Sequence, residues 1–138
     1  MRRLQKLQNS ATRFIFGQRS RRGVTDLRKK CHFLPIRHRI EYKICLLVYK
    51  SLNNDTPGYM ADMVQKRKPK AKCLRVDTDT TRLEEVHSTC NYKATERAFS
   101  VAAPKMWNRL PEQIRNSETL SSFKKSLKTC LFRMAYDC

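Results

Sequence analysis

The chain has 138 residues, with 30 Lys and Arg against 12 Asp and Glu, and 40% of it is apolar. One domain with a real core fits that length, and a net charge of +18 on so apolar a chain argues against both a disordered polycation and an ordinary soluble enzyme. Uncharged stretches end after about seven residues where a membrane span needs about 20, and three glycines are too few for a turn-rich all-β fold.

Residues 2–16 have the period of an amphipathic helix. Leu4, Leu7, Ala11, Phe14 and Ile15 fall within about 100° of each other at 3.6 residues per turn and are expected to face a core. Arg2, Arg3, Lys6 and Arg13 form a second stripe beside them, while Gln5, Asn9 and Thr12 fill the opposite flank. Gly17 stops the helix, and 18–23, with Arg19, Arg21 and Arg22, is a basic turn. A short helix is expected from Thr25, which can cap it, to about His32.

Pro35 suits the first turn of a helix over 35–53. Ile36, Ile40, Ile44, Leu47 and Val48 make one apolar face and Tyr42, Leu46 and Tyr49 another, the pattern of a central core helix. The run 53–58, Asn-Asn-Asp-Thr-Pro-Gly, breaks it, and 59–64 reads as a short helix with Tyr59, Met60 and Met63 inward. From 65 to 95 the helical period is lost. Lys66, Arg67, Lys68, Lys70 and Lys72 put five positive charges into seven residues, and 77–85 is locally acidic. Leu74 and Val76 are placed to pair with Val86 in a short hairpin. A loop this long inside a compact domain is usually functional or disordered.

Helical signals resume near Ala98. A short helix holding Phe99, Val101, Ala102, Met106 and Trp107 runs toward Leu110 and Pro111, which requires Pro104 in its first turn. Ser117 or Thr119 caps a last helix reaching about Tyr136. There Leu120, Phe123, Leu127, Cys130, Leu131 and Met134 share a face, and Lys124, Lys125 and Lys128 group on the adjoining one. The expected fold is therefore all-α: a small, irregular helical bundle of about five helices with one long basic loop. It forms a single domain over 1–138, divided into an N-terminal helical region (1–64), the loop (65–95) and a C-terminal helical region (96–138).

The charge is concentrated early: residues 1–50 carry 14 basic and two acidic groups, and residues 51–138 carry 16 and ten. Counterion release makes polyanions the natural partners of such an excess, with RNA or DNA first. Three basic groups are the candidates for tracking a phosphate backbone. The first is Arg2, Arg3, Lys6 and Arg13 with Arg19, Arg21 and Arg22; the second is Lys66, Arg67, Lys68 and Lys70; the third is Lys124, Lys125 and Lys128. A solvated surface is the plainer reading of each. The 66–72 cluster also fits a nuclear localisation signal.

Catalytic chemistry finds no support in the spacing. There is no glycine-rich phosphate loop. Asp77 with Asp79, and Glu84 with Glu85, read as solvated loop acids rather than a two-metal centre. His87 and Ser88 are adjacent, and adjacency does not build a nucleophile–base pair. The six cysteines, at 31, 45, 73, 90, 130 and 138, contain no CxxC pair, so zinc-ribbon and knuckle spacings are absent. Cys31, His32 and His38 match no metal motif; Cys45 and Cys130 read as small core residues. No cofactor or metal is expected. With no secretory leader, reduced thiols and an intracellular location, nucleus or cytoplasm, are expected. Trp107 with Asn108 has the chemistry to stack on a base and hydrogen-bond it, but beside Met106 and Leu110 the indole reads first as a core anchor.

Five segments in order, LQKLQNSATRFIFG (4–17), HFLPIRHRIEYKICLLVYKSLN (32–53), TPGYMADMV (56–64), RAFSVAAPKMWNRLPEQIRN (97–116) and SSFKKSLKTCLF (121–132), resemble the C-terminal region of reverse transcriptases from non-LTR, LINE-type, jockey-like retrotransposons. In that family the endonuclease and the polymerase palm, an RNA-directed DNA polymerase with paired catalytic aspartates, lie upstream. This chain has no Asp-Asp pair and no Cys/His knuckle, so no catalytic residue carries over. The resemblance implies a non-catalytic tail of a transposable-element polymerase that holds RNA or DNA by its backbone. Phe99, Pro104, Trp107, Leu110 and Pro111 match the family's segment as packing residues. Because Met1 stands where the shared pattern begins, a truncated element copy or gene-model fragment is also implied.

Two other readings stand beside it. The apolar helix faces suit a protein-interaction module that docks on the upstream polymerase body. The acid-free, Arg-rich 1–25 suits a mitochondrial presequence. No membrane partner is expected.

Overall fold

The computed structural model describes residues 2–20, 22–66, 81–85 and 97–136. Among them are seven helices: α1 (Arg2–Ile15), α2 (Val24–Lys30), α3 (Ile36–Leu52), α4 (Gly58–Asp62), α5 (Phe99–Asn108), α6 (Glu112–Arg115) and α7 (Leu120–Tyr136). Among the described residues no strand forms, and one isolated antiparallel bridge joins Lys66 to Leu83. The fold is an all-α small helical bundle. The expected hairpin of Leu74, Val76 and Val86, and Arg21, Arg67, Lys68 and Lys70, lie outside the described residues.

Three helices end in the same way. After α1, Gln18 N–H donates to Arg13 O at 3.0 Å and Gly17 N–H to Phe14 O at 3.2 Å, and Gly17 holds φ +61°. This left-handed closure satisfies carbonyls that the last turn leaves without helical partners. After α2 the left-handed place belongs to His32, with φ 51°, and Phe33 N–H donates to Arg28 O at 3.0 Å. After α3 it belongs to Asn54, with φ 57°; Asp55 N–H donates to Lys50 O at 2.9 Å, and its carboxylate sits 3.0 Å from Lys50 Nζ.

The chain clusters into two compact units, Met1–Tyr42 with Leu127–Cys138 and Lys43–Ser126. The division falls within α3 and α7. Among the described residues of the first unit the buried side chains are Thr12, Leu34, Leu127 and Leu131. Tyr136 Oη donates to Phe33 O, and the Tyr136 ring meets Phe132 at 4.7 Å between centroids. Burial raises the Tyr136 phenol above its ordinary value, although Arg28 nearby pulls it down.

In the second unit an aromatic cluster forms the core. Trp107, 1% exposed, lies 5.8 Å from the Phe123 ring, and Tyr49 stacks on Phe123 at 4.3 Å and 17°. Cys45, Val48, Ala103 and Leu110 are buried in the same unit, as expected for Cys45. The Trp107 indole donates to Thr81 O at 2.9 Å, and Tyr49 Oη to Ser117 O at 2.9 Å. Each ring therefore buries its area while its polar atom keeps a partner.

Several local expectations are corrected. Pro104 is the sixth residue of α5, not in its first turn; the helix accepts it there while the ring is buried. Pro111 is exposed and caps the one-turn α6, which periodicity is too short to reveal. The N-cap of α2 is Gly23, which offers no side-chain cap, and Thr25 Oγ1 instead accepts from Arg28 at 3.2 Å. Tyr59 and Met63 point outward and Val64 is the buried residue. In α7, Phe123, Leu127 and Leu131 are buried as expected but Met134 is exposed; Thr119 is the cap, accepting from Ser122 N–H at 3.3 Å.

Candidate nucleic-acid interface

The largest departure from expectation is the orientation of α1. Its one buried side chain is Thr12, from the polar flank opposite the apolar stripe. Leu4, Leu7, Phe14 and Ile15 are all exposed, Phe14 at 89%. Ala11, the fifth member of that stripe, is exposed as well.

Specific hydrogen bonds make the polar flank the inner one. Gln5 Oε1 accepts from Ile36 N–H at 3.0 Å, and Gln8 Nε2 donates to Leu34 O at 2.8 Å. Ile36 is the first residue of α3, so its N–H has no partner within the helix, and Gln5 caps it from 31 residues away. Gln5 Nε2 also donates to Gln8 Oε1 at 2.9 Å and to Asn9 Oδ1 at 3.0 Å. Thr12 Oγ1 donates to Gln8 O at 2.8 Å, which lets the hydroxyl be buried without a lost bond. Two glutamines thus set the face.

With that flank inward, most of the basic stripe is exposed. Arg2, Arg3 and Lys6 are exposed. Arg13 is half-buried and donates to Ser10 Oγ at 3.1 Å. Arg19 and Arg22 are exposed in the turn that follows, where Arg22 N–H donates to Ser20 Oγ at 3.2 Å. No acid stands in α1 to neutralise them. Elsewhere Lys124, Lys125 and Lys128 are exposed along α7, and Lys66 is exposed at its bridge to Leu83. The structure thus brings Arg2, Arg3, Lys6 and Arg13 onto one helix and keeps Lys124, Lys125 and Lys128 on another. Lys30, Arg39 and Lys43 are further exposed cations that sequence reasoning did not single out; their signal was present as the basic run after Asp26 and as the polar positions of α3.

Trp107 and Asn108 do not form part of an open surface. The indole is buried, and the Asn108 side chain clasps the backbone of Leu83, accepting from its N–H at 2.9 Å and donating to its O at 3.0 Å. Asn108 Nδ2 also reaches Glu85 Oε1 at 3.0 Å. These two residues anchor 81–85. Of the other residues expected to pack, Pro104 and Leu110 are buried, Phe99 is half-buried and Pro111 is exposed.

Among the described residues no three His, Cys, Asp or Glu side chains gather to hold a metal ion. His32 instead lies 5.7 Å from the Phe132 ring. Cys130, expected in the core, is half-buried, and burial pushes its thiol up against a smaller opposite pull from Arg133. No described helix is long and apolar enough to cross a membrane.

Comparison with protein-family models, with curated proteins and with solved structures finds no match to this chain.

Proposed function

We propose that this chain is a non-catalytic, helical nucleic-acid-binding module, the C-terminal tail of a retrotransposon reverse transcriptase, working inside the cell in nucleus or cytoplasm. The observation that carries the binding is the exposed row Arg2, Arg3 and Lys6, continued by Arg13, Arg19 and Arg22, on a helix that contains no acid. Its reach is the phosphate backbone. Guanidinium and ammonium groups on one helix side track phosphates without reading bases, and each contact releases counterions. The order of the five family-like segments supports the polymerase assignment, and the missing catalytic aspartates make the role one of holding nucleic acid.

The test is binding of the purified chain to RNA and to duplex DNA across a salt series. Six to ten phosphate contacts predict an affinity loss of roughly 10³–10⁵ between 50 and 200 mM salt. Replacing Arg2, Arg3 and Lys6 together with Ser should lower the slope of log K on log salt by about 0.7–0.9 per removed charge. A flat salt dependence, or a slope unchanged in the triple variant, rejects the reading.

A further inference from the structure

The apolar stripe of α1 calls for an occupant. Leu4, Leu7, Phe14 and Ile15 remain in water along a helix of about 21 Å, and Phe16 continues them past its end at 42% exposure. The bonds of Gln5 and Gln8 to Ile36 N–H and Leu34 O fix the opposite flank, and Leu4, Leu7, Phe14 and Ile15 each stay more than half exposed. A contiguous apolar patch of this kind marks an interaction site.

The stripe does not stand alone: Arg3 and Leu7 are i, i+4 neighbours, so the basic row borders the apolar one along the same helix. A second copy of this chain would oppose cation to cation across the stripe. A nucleic-acid duplex would satisfy the arginines, but it hides its base faces and would leave the stripe wet. A single strand has both chemistries in parallel, a row of phosphates and a row of unstacked apolar base faces.

We propose that α1 is a single-strand-binding surface. The phosphates of single-stranded RNA or DNA run along Arg2, Arg3, Lys6 and Arg13, the bases lie on Leu4, Leu7 and Phe14, and Phe14 is the stacking ring. The proposal rests on the reading of the basic row as a phosphate track, and it adds the preference for strand over duplex. Phe14 is exposed at 89%, so its ring is available on both faces without any rearrangement of the fold.

The experiment compares an oligo-uridylate with a hairpin duplex of equal phosphate count, at one salt concentration, for the full chain and for Phe14→Ala. The wild type should bind the single strand more tightly. The variant should lose roughly five- to 150-fold on the single strand, the contribution of one base stacked on an aromatic ring, with duplex binding and melting temperature unchanged. Phe14→Trp should retain the single-strand affinity. Equal affinity for strand and duplex, or an unchanged Phe14→Ala, overturns the proposal. So does Phe14-dependent binding to phosphatidylserine vesicles, or Phe14-dependent self-association, with single-strand binding unaffected. Absence of salt-dependent binding to either oligonucleotide would instead defeat the phosphate track itself.

Discussion

In α5 the aromatic side chain Trp107 is 1% exposed, and in α1 the aromatic side chain Phe14 is 89% exposed. Both helices are amphipathic, and both carry a row of apolar residues at helical spacing. Burial of the indole is favoured by its area, by the Phe123 ring and by a carbonyl, Thr81 O, placed for its N–H. In α1 the face that turns inward is the one offering amide groups to Leu34 O and Ile36 N. A helix end that needs a cap can thus decide orientation against the apolar stripe. Amphipathicity alone names two faces and does not say which is inner.

The sharpest way to break this contrast is at Trp107. Trp107→Ala should cost about 3–5 kcal/mol and abolish cooperative unfolding of the second unit, followed by chemical denaturation; a variant of wild-type stability that loses RNA binding would return the indole to a stacking role. Next comes the pair that orients α1. Gln5→Ala leaves the Ile36 N–H without its partner and should cost about 1–3 kcal/mol, read as loss of amide-exchange protection at Ile36 with the Trp107 environment unchanged.

A smaller effect is expected at alkaline pH. The Tyr136 phenol is raised in the folded chain by burial. As pH rises past the ordinary value near 10, the unfolded chain gives up this proton first, so the folded state loses stability across that window and up to the raised value. Tyr136→Phe should remove this component of the alkaline loss in urea melts, while also removing the hydrogen bond to Phe33 O. The smallest change belongs to the exposed stripe: Phe14→Ser should shift stability by no more than about 0.5 kcal/mol, measured by the same melts. A loss as large as that of Trp107→Ala would mean that the stripe is core after all.

Much of the fold was legible because helices announce themselves locally. The bounds of α1, α3 and α7 follow from periodicity, from Gly17, from the breaker after Leu52 and from Thr119, all within a few residues of where they act. Cys45, Trp107, Phe123, Leu127 and Leu131 were readable as core for the same reason. What escaped the sequence depends on distant partners. The Gln5–Ile36 bond spans 31 residues, and no pattern within α1 records it. Pro104 inside α5, the outward Met63 and the single turn of α6 likewise reflect packing rather than period. Of the candidate interface, the basic residues were visible in composition and spacing. The availability of Phe14 beside them was not, because a stripe of apolar residues reads as core until something shows which face is taken.

The buried indole has a spectroscopic consequence. Trp107 is the single tryptophan of the chain, and it belongs to the second unit. Its emission should be blue-shifted in the native state and move to the red only when that unit opens. Fluorescence is therefore a selective gauge of Lys43–Ser126, whereas far-ultraviolet dichroism sums every helix. Where the two melting curves part, the difference reports helix lost away from Trp107, and a helix loss that precedes the red shift would place the first opening in the unit that carries the arginine row.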